Sequence, residues 1–335
     1  VSGVSLRALV NGYGFLGRRV ARALASGKVP GVKLVAVARS TGYIHRPGGL
    51  TLEELEGDIA SLEGFVEGSP ISLLEDGKVD LLIELTPTNL PTGEPALTHI
   101  KTALSRGIDV VTANKAPIAL AYRELTELSR STGALLLFEG TVGGGIPLVS
   151  LRRFCLRGDE VLSIRGILNG TTNYILSRMH FEGLTFELAL REAQNLGIAE
   201  RDPTLDIEGY DTALKLLILA NSVMGLNRRL EDVRITGISR VTADAVSLAK
   251  EAGLAVKLIG SVSPDGHLTV APRLVKLNDP ICVHGTLNAV TFRLRTAGDL
   301  TLIGEGAGEP TVTSILNDVW EVVSVRARLT GARGT

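Results

Sequence analysis

Between residues 193 and 215 the chain places five acids, Glu200, Asp202, Asp206, Glu208 and Asp211, and ends the stretch on the cation Lys215. Carboxylates at this density can bind an ammonium group, orient a neighbouring cation or handle a proton. Asp211 and Lys215 are spaced i, i+4, so a helix beginning near Gly209 sets both on one face. Gly197 closes the preceding helical pattern and Pro203 forbids its continuation. Most of the acids are therefore expected on a loop between two helices, where chemistry is commonly carried. An isolated D-x-x-x-K is ordinarily a surface pair that answers the helix dipole. Here Lys215 opens the apolar run Leu-Leu-Ile-Leu-Ala, and a lysine on a buried helix needs a chemical reason.

A second group of residues points to a nucleotide. Residues 5–10 form a short apolar run, followed by Asn-Gly-Tyr-Gly-Phe-Leu-Gly and a helical pattern over 18–26. Gly12, Gly14 and Gly17 fit G-x-G-x-x-G, the strand-to-helix turn that lets a backbone approach a pyrophosphate. A second strand, residues 33–38, follows at the distance of a βαβ unit. It ends in Ala38, Arg39 and Ser40, where an NAD site usually carries an acid for the ribose 2′-hydroxyl. A guanidinium there suits a 2′-phosphate instead, so Arg39 points to NADP, with NAD as the alternative.

The elements that must position these residues follow an α/β rhythm. Strands are expected over 81–85, 109–113 and 135–138, with helices over 95–106 and 121–131 and a looser segment over 41–77. Such alternation gives a parallel sheet with helices on both faces, and ligands bind beyond the carboxyl ends of its strands. Thr86 and Lys115 both stand at such ends. Residues 139–147, Glu-Gly-Thr-Val-Gly-Gly-Gly-Ile-Pro, leave backbone carbonyls free to bend and read at least as a hinge. Beyond it the texture becomes α+β. Strands are expected over 161–168, 255–262, 268–274 and 289–296, and helices from Thr171 or Thr172, over 185–196 and over 210–224. Residues 300–313 return to a strand, glycine turn and helix pattern.

Composition excludes several classes. The 335 residues carry a net charge of −1 without long charged runs, which argues against nucleic acid or a membrane surface as partner. Hydrophobic residues make up 44%, yet no apolar run reaches the length of a membrane span. No signal-peptide pattern opens the chain. Cys155 and Cys282 suit a reducing, cytoplasmic setting and suggest neither a disulfide framework nor a zinc site. His45, His99, His180, His267 and His284 show no metal or triad spacing.

The stretch A-x-x-x-G-I-A-x-x-D-P-x-x-D-I-x-G-x-D-x-x-x-K over 193–215 resembles the homoserine dehydrogenase family. So do V-V-T-A-N-K, E-G-T-V-G-G-G-I-P and G-I-L-N-G-T-T-N-Y-I-L, which extends the resemblance over nearly the whole chain. It implies hydride transfer between homoserine and aspartate 4-semialdehyde with a nicotinamide cofactor. It implies a Rossmann-type nucleotide domain (1–147), an α+β catalytic and dimerisation domain (148–300), and a C-terminal segment (301–335) whose helix packs back on the first. It implies a homodimer or larger homo-oligomer. It makes Lys115, Lys215 and Asp211 catalytic candidates, and it makes Glu200, Asp206, Asp211 and Lys115 substrate ligands. Gly12, Gly14, Phe15, Leu16, Gly17, Arg39, Ser40, Thr86, Lys115, Gly197 and Gly308 become cofactor-binding candidates. Glu139, Val142, Gly144 and Ile146 become ligands of a monovalent cation such as Na+.

Two departures from the family pattern stand out. Tyr13 and Phe15–Leu16 are bulky for a fingerprint turn and are expected to crowd the pyrophosphate. The chain ends near Thr335, so no appended regulatory domain is expected. Aspartate-semialdehyde dehydrogenase would need a thiol nucleophile, and Cys155 lacks a neighbouring base. Another amino-acid or sugar dehydrogenase, or a nucleotide-sensing module without turnover, are the remaining alternatives.

Overall fold

The computed structural model describes residues 4–331, which form two compact units. One comprises the residues up to Thr141 with those from Thr311, and the other is Val142–Pro310.

In the first unit, β1 (Leu6–Asn11) runs through the glycine turn into α1 (Phe15–Ala25), and β2 (Val32–Arg39) returns beside β1. β3 (Gly42–His45), α2 (Leu52–Glu56), β4 (Val66–Glu67) and α3 (Ile71–Glu75) follow. Then come β5 (Leu81–Glu84), α4 (Ala96–Ser105), β6 (Asp109–Thr112), α5 (Lys115–Thr132) and β7 (Leu136–Leu137). The sheet order is β4-β3-β2-β1-β5-β6-β7. β2, β1, β5, β6 and β7 pair in parallel, while β3 and β4 extend the edge antiparallel. The segment expected to be loose thus holds two edge strands, too short to stand out as a periodic pattern. The strand order reverses between β1 and β5, which is where an open α/β sheet leaves a crevice for a ligand.

The helix expected over 121–131 starts earlier, at Lys115, and has one non-helical residue, Ala121 (φ −129°). Its cap is Asn114, whose side chain accepts from the Ala116 N–H.

In the second unit, α6 (Leu148–Phe154) leads into β8 (Val161–Ile167), α7 (Gly170–Glu182), α8 (Phe186–Asn195), α9 (Thr204–Ile207) and α10 (Tyr210–Val223). β9 (Val233–Ile235), α11 (Ala243–Glu251), β10 (Leu254–Val262), β11 (Leu268–Lys276), β12 (Leu287–Leu294) and β13 (Gly298–Glu305) complete it. The six strands order as β13-β12-β8-β10-β11-β9, antiparallel throughout except for β9 beside β11. α7, α10 and α11 all pack on β10. α9 is a correction to the expected loop: Asp206 sits on a short helical turn behind Pro203.

The last helix, α12 (Glu309–Gly331), leaves the second unit and completes the first. Ile315, Val319, Val322 and Val323 are buried in one apolar cluster with Val20 and Leu24 of α1 and strand residues of β1, β2 and β5. Full burial of such a side chain contributes about 1.5–3 kcal/mol. Arg326 adds a polar anchor, its Nε donating to Asp109 Oδ2 at 2.7 Å at the start of β6. The segment from residue 301 therefore divides: 301–305 finish β13 in the second sheet, and only the helix returns to the first unit.

Candidate active site

The glycine turn of the first unit is dictated by space. Gly12 has φ +100°, and a Cβ there would lie 2.4 Å from the Leu85 carbonyl carbon. A Cβ on Gly17 would lie 2.1 Å from the Gly12 carbonyl oxygen. Gly14, which precedes α1, has open space on its Cβ side, leaving the N-terminus of that helix accessible to an anion. Tyr13 does not crowd this turn. Its ring is buried and its hydroxyl donates to the Leu55 carbonyl at 3.0 Å. Leu16 packs against the apolar cluster, and Phe15 is 54% exposed with the Arg19 guanidinium 3.7 Å from its ring centre.

Arg39 ends β2 with a half-exposed side chain, and Nη1 pairs with Asp58 Oδ1 at 2.7 Å. Ser40 is exposed beside it. Thr86 follows β5; its N–H donates to Glu84 Oε1 at 2.9 Å, and its carbonyl accepts from Asn114 Nδ2 at 2.9 Å. Lys115 is the next residue after Asn114, half-buried at the start of α5.

In the second unit Asp211 and Lys215 pair as their spacing predicts. Gly209 takes φ +88° and α10 begins at Tyr210, which brings Lys215 Nζ to 2.7 Å from Asp211 Oδ2. Lys215 is only 7% exposed and also donates to the Leu168 carbonyl at 2.8 Å. The residue that organises this cluster is Asn169, 5% exposed and the cap of α7. Its Oδ1 accepts from the Thr172 N–H at 2.9 Å, which aims Nδ2 at both Asp206 Oδ1 (2.6 Å) and Asp211 Oδ2 (2.9 Å). Sequence reasoning missed Asn169, although an Asn directly before Gly-Thr-Thr is a recognisable helix cap.

Glu200 is exposed, and among the described residues its carboxylate has no hydrogen-bond or ion-pair partner. Gly197 (φ +71°) ends α8, with the Ile198 N–H reaching back to the Ala193 carbonyl. Gly308 (φ +76°) turns the chain between β13 and α12.

Residues 139–147 are built around backbone rather than side chains. Glu139, Val142 and Ile146 are buried, and Gly143 and Gly144 take φ of +82° and +58°. A Cβ on Gly144 would lie 2.4 Å from the Gly306 carbonyl carbon. The Glu139 N–H donates to Asp318 Oδ2 at 2.8 Å, and the Ile146 carbonyl accepts from the Leu148 N–H at 2.9 Å. Among the described residues no group of three or more His, Cys, Asp or Glu side chains is placed to hold a metal ion.

A model of the homoserine dehydrogenase family matches residues 147–320, and one of the homoserine dehydrogenase NAD binding domain matches residues 12–139. A homoserine dehydrogenase of Methanocaldococcus jannaschii is 44% identical over 325 residues, covering 93% of this chain and 96% of its own. The chain belongs to the homoserine dehydrogenase family. An NAD(+)-dependent homoserine dehydrogenase of Pseudomonas canavaninivorans is 38% identical over 271 residues, covering 79% of this chain and 77% of its own. A hyperthermophilic archaeal homoserine dehydrogenase solved in complex with NADPH superposes with a TM-score of 0.82 at 31% identity, covering 94% of this chain and 97% of that one. As a homoserine dehydrogenase, this chain is a nicotinamide-dependent oxidoreductase that interconverts homoserine and aspartate 4-semialdehyde.

Proposed function

We propose that Lys215 exchanges the proton with the substrate oxygen and that Asp211 holds it for that task. When bound, the nicotinamide supplies or accepts the hydride. Reduction of the aldehyde places negative charge on oxygen, and a positioned cation meets it in the transition state. One observation carries the assignment. The ammonium of Lys215 has three hydrogens, and the Leu168 carbonyl and Asp211 take two of them. The third remains for substrate.

Asp206 and Asp211 converge on the same Asn169 nitrogen, which gathers two carboxylates at the cluster that holds Lys215. Their charge suits the ammonium of an amino-acid substrate, with Glu200 contributing a further carboxylate and Asp206 assisting Lys115. Lys115, at a strand's carboxyl end, supplies a second cation to the same reaction. Gly12, Gly14, Phe15, Leu16, Gly17, Thr86, Gly197 and Gly308 are assigned to the cofactor.

Arg39 with Ser40 is proposed to favour NADP over NAD, since a 2′-phosphate would meet the guanidinium now paired with Asp58. Arg39→Asp should weaken NADP binding by about 1.5–3 kcal/mol and leave NAD binding nearly unchanged or improved. Equal losses for both cofactors in a titration would remove Arg39 from this role.

Glu139 and the carbonyls of Val142, Gly144 and Ile146 are proposed to hold a monovalent cation such as Na+. Glu139 is buried and Gly144 takes a left-handed φ, and a carboxylate with backbone carbonyls is the kind of oxygen set that a hard ion takes. The ion would brace this segment and take no part in hydride transfer. A homodimer or larger homo-oligomer and a cytoplasmic setting complete the reading; no described helix is long and apolar enough to cross a membrane. Initial rates with homoserine, comparing NAD with NADP, test the whole assignment: absence of turnover with both would overturn it.

A further inference from the structure

Glu84 closes β5 with its side chain fully buried, yet no step above uses it. A carboxylate in the middle of a parallel sheet is costly unless its oxygens are filled. Here both are. Oε2 accepts from Asn11 Nδ2 at 2.7 Å and lies 3.1 Å from His99 Nδ1. Oε1 accepts from the Thr86 N–H at 2.9 Å and also meets the Thr86 hydroxyl. Each oxygen thus faces an N–H group that can only donate, the contact that a carboxylate's acceptor oxygens make. His99 is itself held from the far side, with Nε2 3.3 Å from Ser69 Oγ.

The position of this anion gives it a role. Asn11 is the last residue of β1 and precedes Gly12; Thr86 is the residue after the peptide against which Gly12 packs. Thr86 in turn receives Asn114 Nδ2 on its carbonyl, and Asn114 caps the helix that opens with Lys115. One chain of hydrogen bonds therefore runs from the glycine fingerprint through Glu84 to the start of α5. It crosses the point where the strand order reverses.

We infer that Glu84 is a positioning residue for hydride transfer, tying the glycine turn to the Lys115 helix and favouring the oxidised, cationic nicotinamide over the reduced, neutral one by its fixed charge. The inference rests on the reading that the cofactor occupies this crevice. A merely structural carboxylate would affect both redox forms of the cofactor alike; a fixed anion distinguishes them. By Coulomb's law in an effective dielectric of about 20, a unit charge about 10 Å from any cation is worth on the order of tenfold in its affinity.

Dissociation constants of NADP+ and NADPH, measured by calorimetry and by cofactor fluorescence on the full chain, decide the matter. In Glu84→Gln the NADP+ constant should rise about tenfold more than the NADPH constant. Losses of equal size in both would overturn the electrostatic role. Unchanged constants for both would show instead that the cofactor lies elsewhere and overturn the underlying reading. Should Glu84→Gln fail to fold, the exchange Asn11→Asp with Glu84→Gln restores one amide and one carboxylate at the same contact. That protein should keep the wild-type ratio of the two constants; a collapsed ratio would refute the inference.

Discussion

The second unit buries two lysines, and they are opposites in every respect but burial. Lys215 is 7% exposed, pairs with a carboxylate and a carbonyl, and keeps one hydrogen unassigned. Lys257 on β10 is 1% exposed and meets only neutral groups: Asn173 Oδ1 at 2.8 Å, His284 Nδ1 at 3.2 Å and Ser177 Oγ at 3.3 Å. All three of its hydrogens have partners, so it has nothing left to offer a substrate. Burial of a lysine is therefore no mark of catalysis. On the proposed reading the partner set decides: an anion beside an incompletely used ammonium suits a reagent, and a saturated ammonium suits a brace. Lys257 braces α7, since Asn173 and Ser177 both lie on that helix while the Gly285 N–H donates to Ser177 Oγ.

The contrast makes its largest prediction at Lys215. Truncation to Ala should slow turnover by roughly 10²–10⁴ while fold and cofactor affinity persist, as expected for a positioned acid–base group. Near-normal turnover would sink the distinction between the two lysines. The loss should combine non-additively with that of Lys115→Ala if both serve one substrate oxygen. Lys257→Met, in contrast, should alter stability and leave kcat close to that of the parent.

The next effect is on stability. Burial lowers the Lys257 pKa from 10.5 to about 8, with Cys282 acting in the opposite direction. The folded protein then binds fewer protons than the unfolded chain between about pH 8 and 10.5, so stability should rise with pH across that window. A gain of roughly 1–3 kcal/mol is expected, read as a rising denaturation midpoint. In Lys257→Met the rise should vanish; its persistence would place its source elsewhere.

A smaller shift concerns His284, whose pKa burial holds down at about 4, with Lys257 and His180 adding to the effect. Removing the Lys257 charge should raise it, and the imidazole resonances in an NMR titration would report the change. An unmoved titration would show that Lys257 carries no charge there. The smallest effect belongs to the exposed acid. Glu200→Gln should raise KM for homoserine severalfold, within about 1 kcal/mol as befits a solvent-screened pair, with cofactor affinity unchanged. A loss confined to cofactor affinity would reassign Glu200.

Sequence patterns anticipated those features whose cause is local. Gly12 and Gly17 were legible because the turn brings their own neighbours and the Leu85 peptide too close for a Cβ. The Asp211–Lys215 contact was legible because helical geometry alone sets an i, i+4 pair together. The start of α5 and the edge strands β3 and β4 were not, since Pro117 near a helix start and strands of four and two residues carry little periodic signal.

By itself, the sequence determined a nucleotide-binding α/β unit, the membership of the family and the helix that carries Asp211 and Lys215. Tertiary structure alone decided what those residues meet. Asn169 joins Asp206 and Asp211 from 37 and 42 residues away, Glu84 joins Asn11 across 73, and Lys257 joins Asn173 across 84. A glutamate in Leu-Leu-Ile-Glu-Leu and a lysine in Ala-Val-Lys-Leu-Ile were visible anomalies in apolar strands. Only the packed sheets state whether such a charge is filled, braced or left free. The reason is physical: propensity and spacing act through covalent neighbours, whereas desolvation of a charge is settled by whichever distant donors the fold brings within about 3 Å.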